Sequence, residues 1–473
     1  MKENIKAKGS RWLLAYSRGF QKFLPSPFAI ALLLTAVAGL SALLITDAEM
    51  VLRAWSDGLW NPSLLRFGFQ AMFMLVLGHV LALSTPVKYF LDKVVILAVR
   101  NTALAPAYVA FFALMLGWLN WGLGLVAGAL LAKSVIDKSE KHGYGIRPGL
   151  LGAAGYMGLL VWHSGLSGSA PLKVAESGHL LSLYPKGADW QQPIPDAISI
   201  SSTVFSTWNI SITIGVILAV VLLFAVLGHL FHQQTLESKT LTSQFSQTDQ
   251  DLSSDHVHNF SISEKLDNGR WLAWVFGVLF LGTAIWLTMS SDSESTRLGF
   301  VTPDWINLIL LGLALLAHGS IKNLLSALEK AIGGASGILL QFPIYFGIMG
   351  VVTGTGLVNI LSGALVSSTN ITTLPLVIFT SSGVLNIFVP SGGGQWAVQG
   401  PLVIEACHSM VMSLEKGIMA MAYGDQWTNM LQPFWALPLL GITKLKAQDI
   451  LPFTLAALIV SGLVFIIGLL LIP

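Results

Sequence analysis

Residues 331–404 contain no Asp, Glu, Lys or Arg, and neither do the windows 27–46, 67–87, 101–132, 148–172, 197–236, 271–291, 305–321 and 450–473. A helix needs about 20 apolar residues to cross the hydrocarbon core. Lipid offers no partner to a backbone N–H or C=O, so such windows fold as helices that satisfy themselves. The alternation of an outer-membrane barrel is absent. Only 11% of the 473 residues are charged and 54% are apolar, so the outer surface faces lipid. The fold class is an all-α polytopic membrane protein. A net charge of +2, without a basic stripe carrying aromatics, excludes a nucleic-acid partner. A single cysteine, Cys407, excludes an internal disulfide.

Lys and Arg collect on the cytoplasmic side of a membrane. With the N-terminus inside, 20 of the 26 basic residues fall inside; only Arg53, Arg66, Lys173, Lys186, Arg297 and Lys416 fall outside. Residues 1–26 carry six basic groups and read as a cytoplasmic amphipathic segment before an uncleaved first span. Residues 233–270, rich in Ser, Gln and Asp, read as a cytoplasmic linker, and 271–290 as an extra span. The stretch 103–132 is apolar enough to cross, yet both its flanks are basic. A re-entrant hairpin resolves this, turning at Gly117-Trp118-Leu119-Asn120-Trp121-Gly122-Leu123-Gly124; the alternative is an ordinary span and a miscounted loop.

Four matches recur in order between the halves: Pro27 with Pro303, Gln70 with Gln341, Gly117-Trp118-Leu119-Asn120 with Gly383-Val384-Leu385-Asn386, and His163 with Asp425. Their offsets shrink smoothly through 276, 271, 266 and 262. The halves, 27–232 and 303–473, therefore read as repeats. Because the extra span intervenes they are inverted, a pattern of alternating-access transporters. The expected architecture has nine spans, two of them broken (about 149–180 and 417–443), and two opposed hairpins (about 103–132 and 374–400).

The second hairpin turns through Asn386-Ile387-Phe388-Val389-Pro390-Ser391-Gly392-Gly393-Gly394-Gln395-Trp396. Proline ends a helix and glycines expose amides, which suits a carboxylate at a helix N-terminus; a plain turn is the alternative. Asp425, in Tyr423-Gly424-Asp425-Gln426-Trp427-Thr428-Asn429, is the only charge between Gly417 and Thr443. A buried carboxylate asks for a partner or a cation, unless it sits at a span end. Asp425 and Gln426, with Asn120 and Asn386, are candidates for cation coupling, with H⁺ and Na⁺ both open. His163, in Trp162-His163-Ser164-Gly165-Leu166-Ser167-Gly168-Ser169-Ala170-Pro171, is a candidate site residue or a satisfied core histidine. With no Arg or Lys expected in the hairpins or broken helices, a monoanion met by amides and hydroxyls is favoured over a dianion. Trp118, Trp121, Trp162, Trp396 and Trp427 are available to enclose an aliphatic tail. The candidate substrate residues are thus Asn120, Trp121, Gly122, His163, Ser164, Ser167, Ser169, Asn386, Pro390, Ser391, Gly392, Gly393, Gly394, Gln395, Thr428 and Asn429.

These motifs, above all Pro390-Ser391-Gly392-Gly393-Gly394-Gln395-Trp396, resemble those of the AtoE-type short-chain fatty acid transporters over nearly the whole chain. The resemblance implies secondary active uptake of acetoacetate, butyrate and similar monocarboxylates across a bacterial inner membrane, by a homodimer of the ion-transporter superfamily. It further implies an elevator in which hairpins and broken helices move as one block, with no cofactor. Related carriers often show Ser-Asn-Thr at the hairpin tips, where this chain has Leu119-Asn120-Trp121 and Pro390-Ser391-Gly392. Carriage of another organic anion and ion antiport are the nearest alternatives. An intramembrane enzyme lacks its motifs, having neither a His-Glu-x-x-His helix nor a Gly-x-Ser-x-Gly elbow.

Overall fold

A computed structural model describes residues 27–142, 145–183, 194–232, 262–290, 302–357, 360–361, 364, 367, 369–388, 392–432 and 435–471. The expected N-terminal segment 1–26, linker residues 233–261 and the tip residues Pro390 and Ser391 lie outside the described residues.

Every regular element among the described residues is a helix. The first half contains α1 (Pro27–Ala42), α2 (Ala48–Leu59), α3 (Pro62–Ala82), α4 (Thr85–Arg100), α5 (Ala105–Leu119), α6 (Trp121–His142), α7 (Pro148–Tyr156), α8 (Ser169–Lys173), α9 (His179–Ser182) and α10 (Thr207–His232). The short α11 (Ile262–Asn268) and α12 (Arg270–Ser290) follow. The second half contains α13 (Pro303–His318), α14 (Ile321–Ile332), α15 (Ser336–Gly354), α16 (Leu374–Phe388), α17 (Gly392–Ser409), α18 (Leu414–Thr428), α19 (Leu437–Thr443) and α20 (Ala447–Leu471).

Local chemistry sets the boundaries. Asp47, Asn61, Thr302, Ser320 and Ser413 each cap a helix by accepting a backbone N–H of its first turn, and Pro62 and Pro303 open theirs where no donor is needed. Gly319, at φ 69°, lets α13 stop and α14 leave at 119°. Among the described residues four helices, α3, α10, α12 and α20, are long and apolar enough to cross a membrane, or five if the bent α13–α14 pair counts as one span. Against the nine spans expected, other uncharged windows hold shorter apolar helices, such as Ala31–Ala42 and Leu339–Gly354, because Pro and Gly interrupt these windows.

Lengths match across the halves: α1 and α13 have 16 residues each, α2 and α14 have 12, α5 and α16 have 15, and α10 and α20 have 26 and 25. Helices α1 and α2 pack on α15, and α14 and α13 pack on α3, forming one layer. The other group contains α5–α8, α10 and α16–α20. Within it α5 and α6 reverse at Asn120 and run antiparallel, since a Cβ on Gly124 would strike Gly117 and one on Gly128 would lie 3.3 Å from Ala113. Helix α17 likewise returns along α16, where Gln395 donates to the Ser382 carbonyl at 2.9 Å.

Glycine contact between backbones holds this group together. A Cβ on Gly117 would meet the backbone of Gly158, with the Gly158 Cα 2.6 Å away, whereas one on Gly282 in α12 meets nothing within 4 Å. Gly117→Val should therefore cost about 1–3 kcal/mol by overpacking, read as a lowered melting temperature in detergent, while Gly282→Ala leaves it unchanged. Equal melting temperatures for the two variants would contradict this packing.

Candidate functional site

Polar groups of the interior gather at residues 161–168, the irregular segment between the first pieces of the broken helix (α7 and a 3₁₀ turn, Met157–Leu160) and α8, and at the last turn of α18, which ends at Thr428. They meet. His163 Nδ1 lies 2.5 Å from Asp425 Oδ2, with both side chains fully buried. The Ala170 N–H donates to His163 Nε2 at 3.1 Å, so Nε2 is unprotonated and Nδ1 carries the proton given to Asp425. One residue on, the Ser164 N–H donates to Gln426 Oε1 at 3.0 Å, and Gln426 Nε2 returns a bond to Ser164 Oγ at 3.2 Å. Both contacts join positions 262 apart, the offset of the sequence match.

Each reversal is tied to a break. The Trp121 N–H donates to Ser167 Oγ at 2.9 Å, and Asn120 Oδ1 caps α6 by accepting from the Leu123 N–H at 2.8 Å. Asn386 Nδ2 reaches the Asp425 carbonyl at 2.7 Å and Thr428 Oγ1 and Asn429 Oδ1 at 3.0 Å. Thr428 Oγ1 donates to the Gly383 carbonyl at 2.9 Å. Buried polar groups are thus used to fix the breaks, as a water-poor interior requires.

Beside this polar junction lies a small cavity, about 20 Å³, walled by Trp121, Trp162 and Trp435 and bordered by Ser169, Gly392, Gly393 and Asn429. Ala71 of α3 and Phe342 of α15 close it from the other layer. Trp121 stands edge-on to Trp435 at 5.1 Å and tilted to Trp162 at 5.7 Å, and Trp162 stacks on His163 at 4.5 Å. A Cβ on Gly392 would crowd Trp162 and come within 2.9 Å of His163 Cε1, so glycine is needed for the α17 backbone to approach the rings. A space this small admits about one water, so a four-carbon acid enters only if the two layers part. A larger cleft of about 550 Å³ runs between α2 and α15, but Asp47, Glu49 and Asp57 line it, and its Arg53 is already paired with Glu49 at 2.7 Å. That cleft repels an anion.

Among the expected site residues, the structure brings together Trp121, His163, Ser164, Ser167, Ser169, Asn386, Gly392, Gly393, Asp425, Gln426, Thr428 and Asn429. Three serve packing instead. A Cβ on Gly122 would lie 2.7 Å from the Leu75 carbonyl and one on Gly394 against Tyr345, while Gln395 ties α17 to α16 through Ser382. Trp396 donates to His179 Nε2 at 2.9 Å and Trp427 to the Leu458 carbonyl at 2.7 Å, and neither borders the cavity. Trp118 packs edge-on against Phe205. The expectation that no Lys or Arg occupies a broken helix is corrected: Lys173 ends α8 and is 2% exposed. Sequence reading also missed Trp435, which follows Pro433 closely, and Asn209, whose Nδ2 donates to the Ser164 carbonyl at 3.1 Å while Oδ1 accepts from the Tyr423 hydroxyl at 2.7 Å. A lone amide within an uncharged window was the available signal for Asn209.

The fold is similar to two solved transporters. One is YdaH of Alcanivorax borkumensis, described as having an unusual topology, at TM-score 0.56 and 14% identity, covering 94% of this chain and 98% of that one. The other is MtrF of Neisseria gonorrhoeae, described with a class of antimetabolite efflux pumps, at TM-score 0.55 and 14% identity over 96% and 97%. In sequence the chain is 35% identical to a Haemophilus influenzae protein over 95% of this chain and 96% of the relative. It is 34% identical to an Escherichia coli protein over 96% and 97%. Both relatives carry the name "Putative short-chain fatty acid transporter". The family model for short chain fatty acid transporters matches residues 11–472, and with these relatives it shows that the chain belongs to that family.

Proposed function

We propose that this protein takes up short-chain monocarboxylates such as acetoacetate and butyrate across a bacterial inner membrane by cation-coupled symport. The single observation that carries the reading is the cavity where three indole rings meet the Gly392–Gly393 backbone next to the His163–Asp425 pair. The carboxylate is met by amides and hydroxyls of Gly392, Gly393, Ser169 and Asn429, and the tail lies among Trp121, Trp162 and Trp435. The family and both relatives are transporters, not enzymes.

The halves act as inverted repeats whose axis passes between the 163–164 and 425–426 segments; the paired helix lengths and the two contacts at offset 262 support this. The reversals at Asn120 and after Phe388 are re-entrant hairpins. Hairpins and broken helices then move as an elevator block against the layer of α1–α3 and α13–α15 in a homodimer, with the N-terminus cytoplasmic. The cavity's position between these groups supports such motion.

Coupling runs through Asp425. In the proton reading the coupled proton lies between His163 Nδ1 and Asp425 Oδ2, 2.5 Å apart. A second reading has its own support: Asp425 Oδ1 and Asn386 Oδ1 are buried and accept no hydrogen bond among the described residues, which suits a hard cation such as Na⁺. In proteoliposomes with separately clamped pH and sodium gradients, Asp425→Asn should lower gradient-driven butyrate uptake at least about tenfold while butyrate exchange persists. Undiminished gradient-driven uptake would remove Asp425 from coupling.

Trp435→Ala lengthens the tail pocket. Hexanoate should then gain on butyrate as a competitor by up to about fourfold per added methylene, at about 0.8 kcal/mol each. An unchanged ranking of acids would place the tail elsewhere.

A further inference from the structure

Five side chains form a second polar network at the edge of the cavity. Arg66 pairs with Asp304, and Gln70 Nε2 donates both to Asp304 Oδ1 at 2.8 Å and to Glu176 Oε1 at 3.1 Å. The Lys173 ammonium donates to Glu176 Oε2 at 2.5 Å and to Gln70 Oε1 at 3.3 Å. The network crosses the boundary between the two groups of helices: Arg66 and Gln70 belong to α3 and Asp304 to α13, while Lys173 ends α8 and Glu176 follows it.

Its position is specific. Phe67, Leu172 and Pro303 line a smaller void that adjoins the cavity and shares Ala71, Trp121 and Ser169 with it. Each of those three is the chain neighbour of a network residue: Arg66, Lys173 and Asp304. Exposure falls along the network from 64% and 51% for the side chains of Arg66 and Asp304, through 17% for Glu176, to 3% for Lys173. The Lys173 ammonium lies 5.4 Å from the centre of the Phe67 ring, and that ring reaches Gly393. The network therefore extends from the surface inward to the wall of the cavity. Its two cations and two carboxylates cancel, so an anion approaching it meets no net repulsion.

We infer that this network is a gate. It closes the path from the exterior to the cavity by tying α8 to α3 and α13, and it must break for the layers to part. The inference rests on the cavity being the substrate route, and the test reads access to that cavity whatever solute is carried.

Cys407 is the only cysteine, so Cys407→Ala gives a clean background. Ala71→Cys then places one thiol where both voids are lined, and a membrane-impermeant maleimide measures its labelling rate in vesicles of each orientation. Glu176→Gln and Asp304→Asn keep side-chain shape and should raise labelling from the outer face about fivefold, the scale of a partly exposed ion pair. The exchange Arg66→Asp with Asp304→Arg should return the rate towards that of the unmodified network. Unchanged rates, or a rise only from the inner face, would overturn the gate.

Discussion

A carboxylate held without exposure in an apolar bundle is tolerable only if something donates to it. At Asp425 that donor is His163, 2.5 Å away on the other broken helix. The rest of the interior is arranged around this requirement. The Ala170 N–H fixes the imidazole tautomer, Gln426 and Ser164 fasten the neighbouring pair of residues, and Asn209 and Tyr423 brace the Ser164 carbonyl. Unwound backbone, costly in lipid, persists here because side chains from the two halves of the chain supply its partners.

The same arrangement supports the place proposed for a small acid. Gly392 brings a helix start against the Trp162 and His163 rings and Gly393 brings it against Phe67 and Phe342, and the tryptophans present an apolar wall beside the donors. Phe342 and Ala71 seal the space from the opposite layer. In the proposed reading binding and movement are thereby linked, since a space closed by the opposite layer is filled only when that layer shifts.

Much of this was legible in the sequence because charge is scarce there. Asp425 stands out as the only charge between Gly417 and Thr443 and His163 as a titratable group in an uncharged window, and basic flanks on both sides of 103–132 pointed to a reversal there; α5 and α6 run antiparallel about Asn120. Glycine was harder to read. Gly122, Gly392 and Gly394 all lie near expected turns, but only the folded chain shows that Gly392 borders the cavity while Gly122 faces the Leu75 carbonyl and Gly394 the Tyr345 ring. Lys173 was counted among the residues falling outside because the uncharged window ends at Leu172; it is buried with Gln70 and Glu176 as its partners, 103 residues before it and three after. No motif in the sequence singled out Trp435, and only the folded chain sets it against Trp121.

The most direct measurement is anomalous diffraction from crystals grown with 4-bromobutyrate, whose bromine marks the end of the aliphatic tail. A bromine peak among Trp121, Trp162 and Trp435, with the carboxylate at the Gly392–Gly393 amides, is the predicted result. A peak confined to the Asp47–Arg53 cleft, or to the lipid-facing surface, would contradict the account.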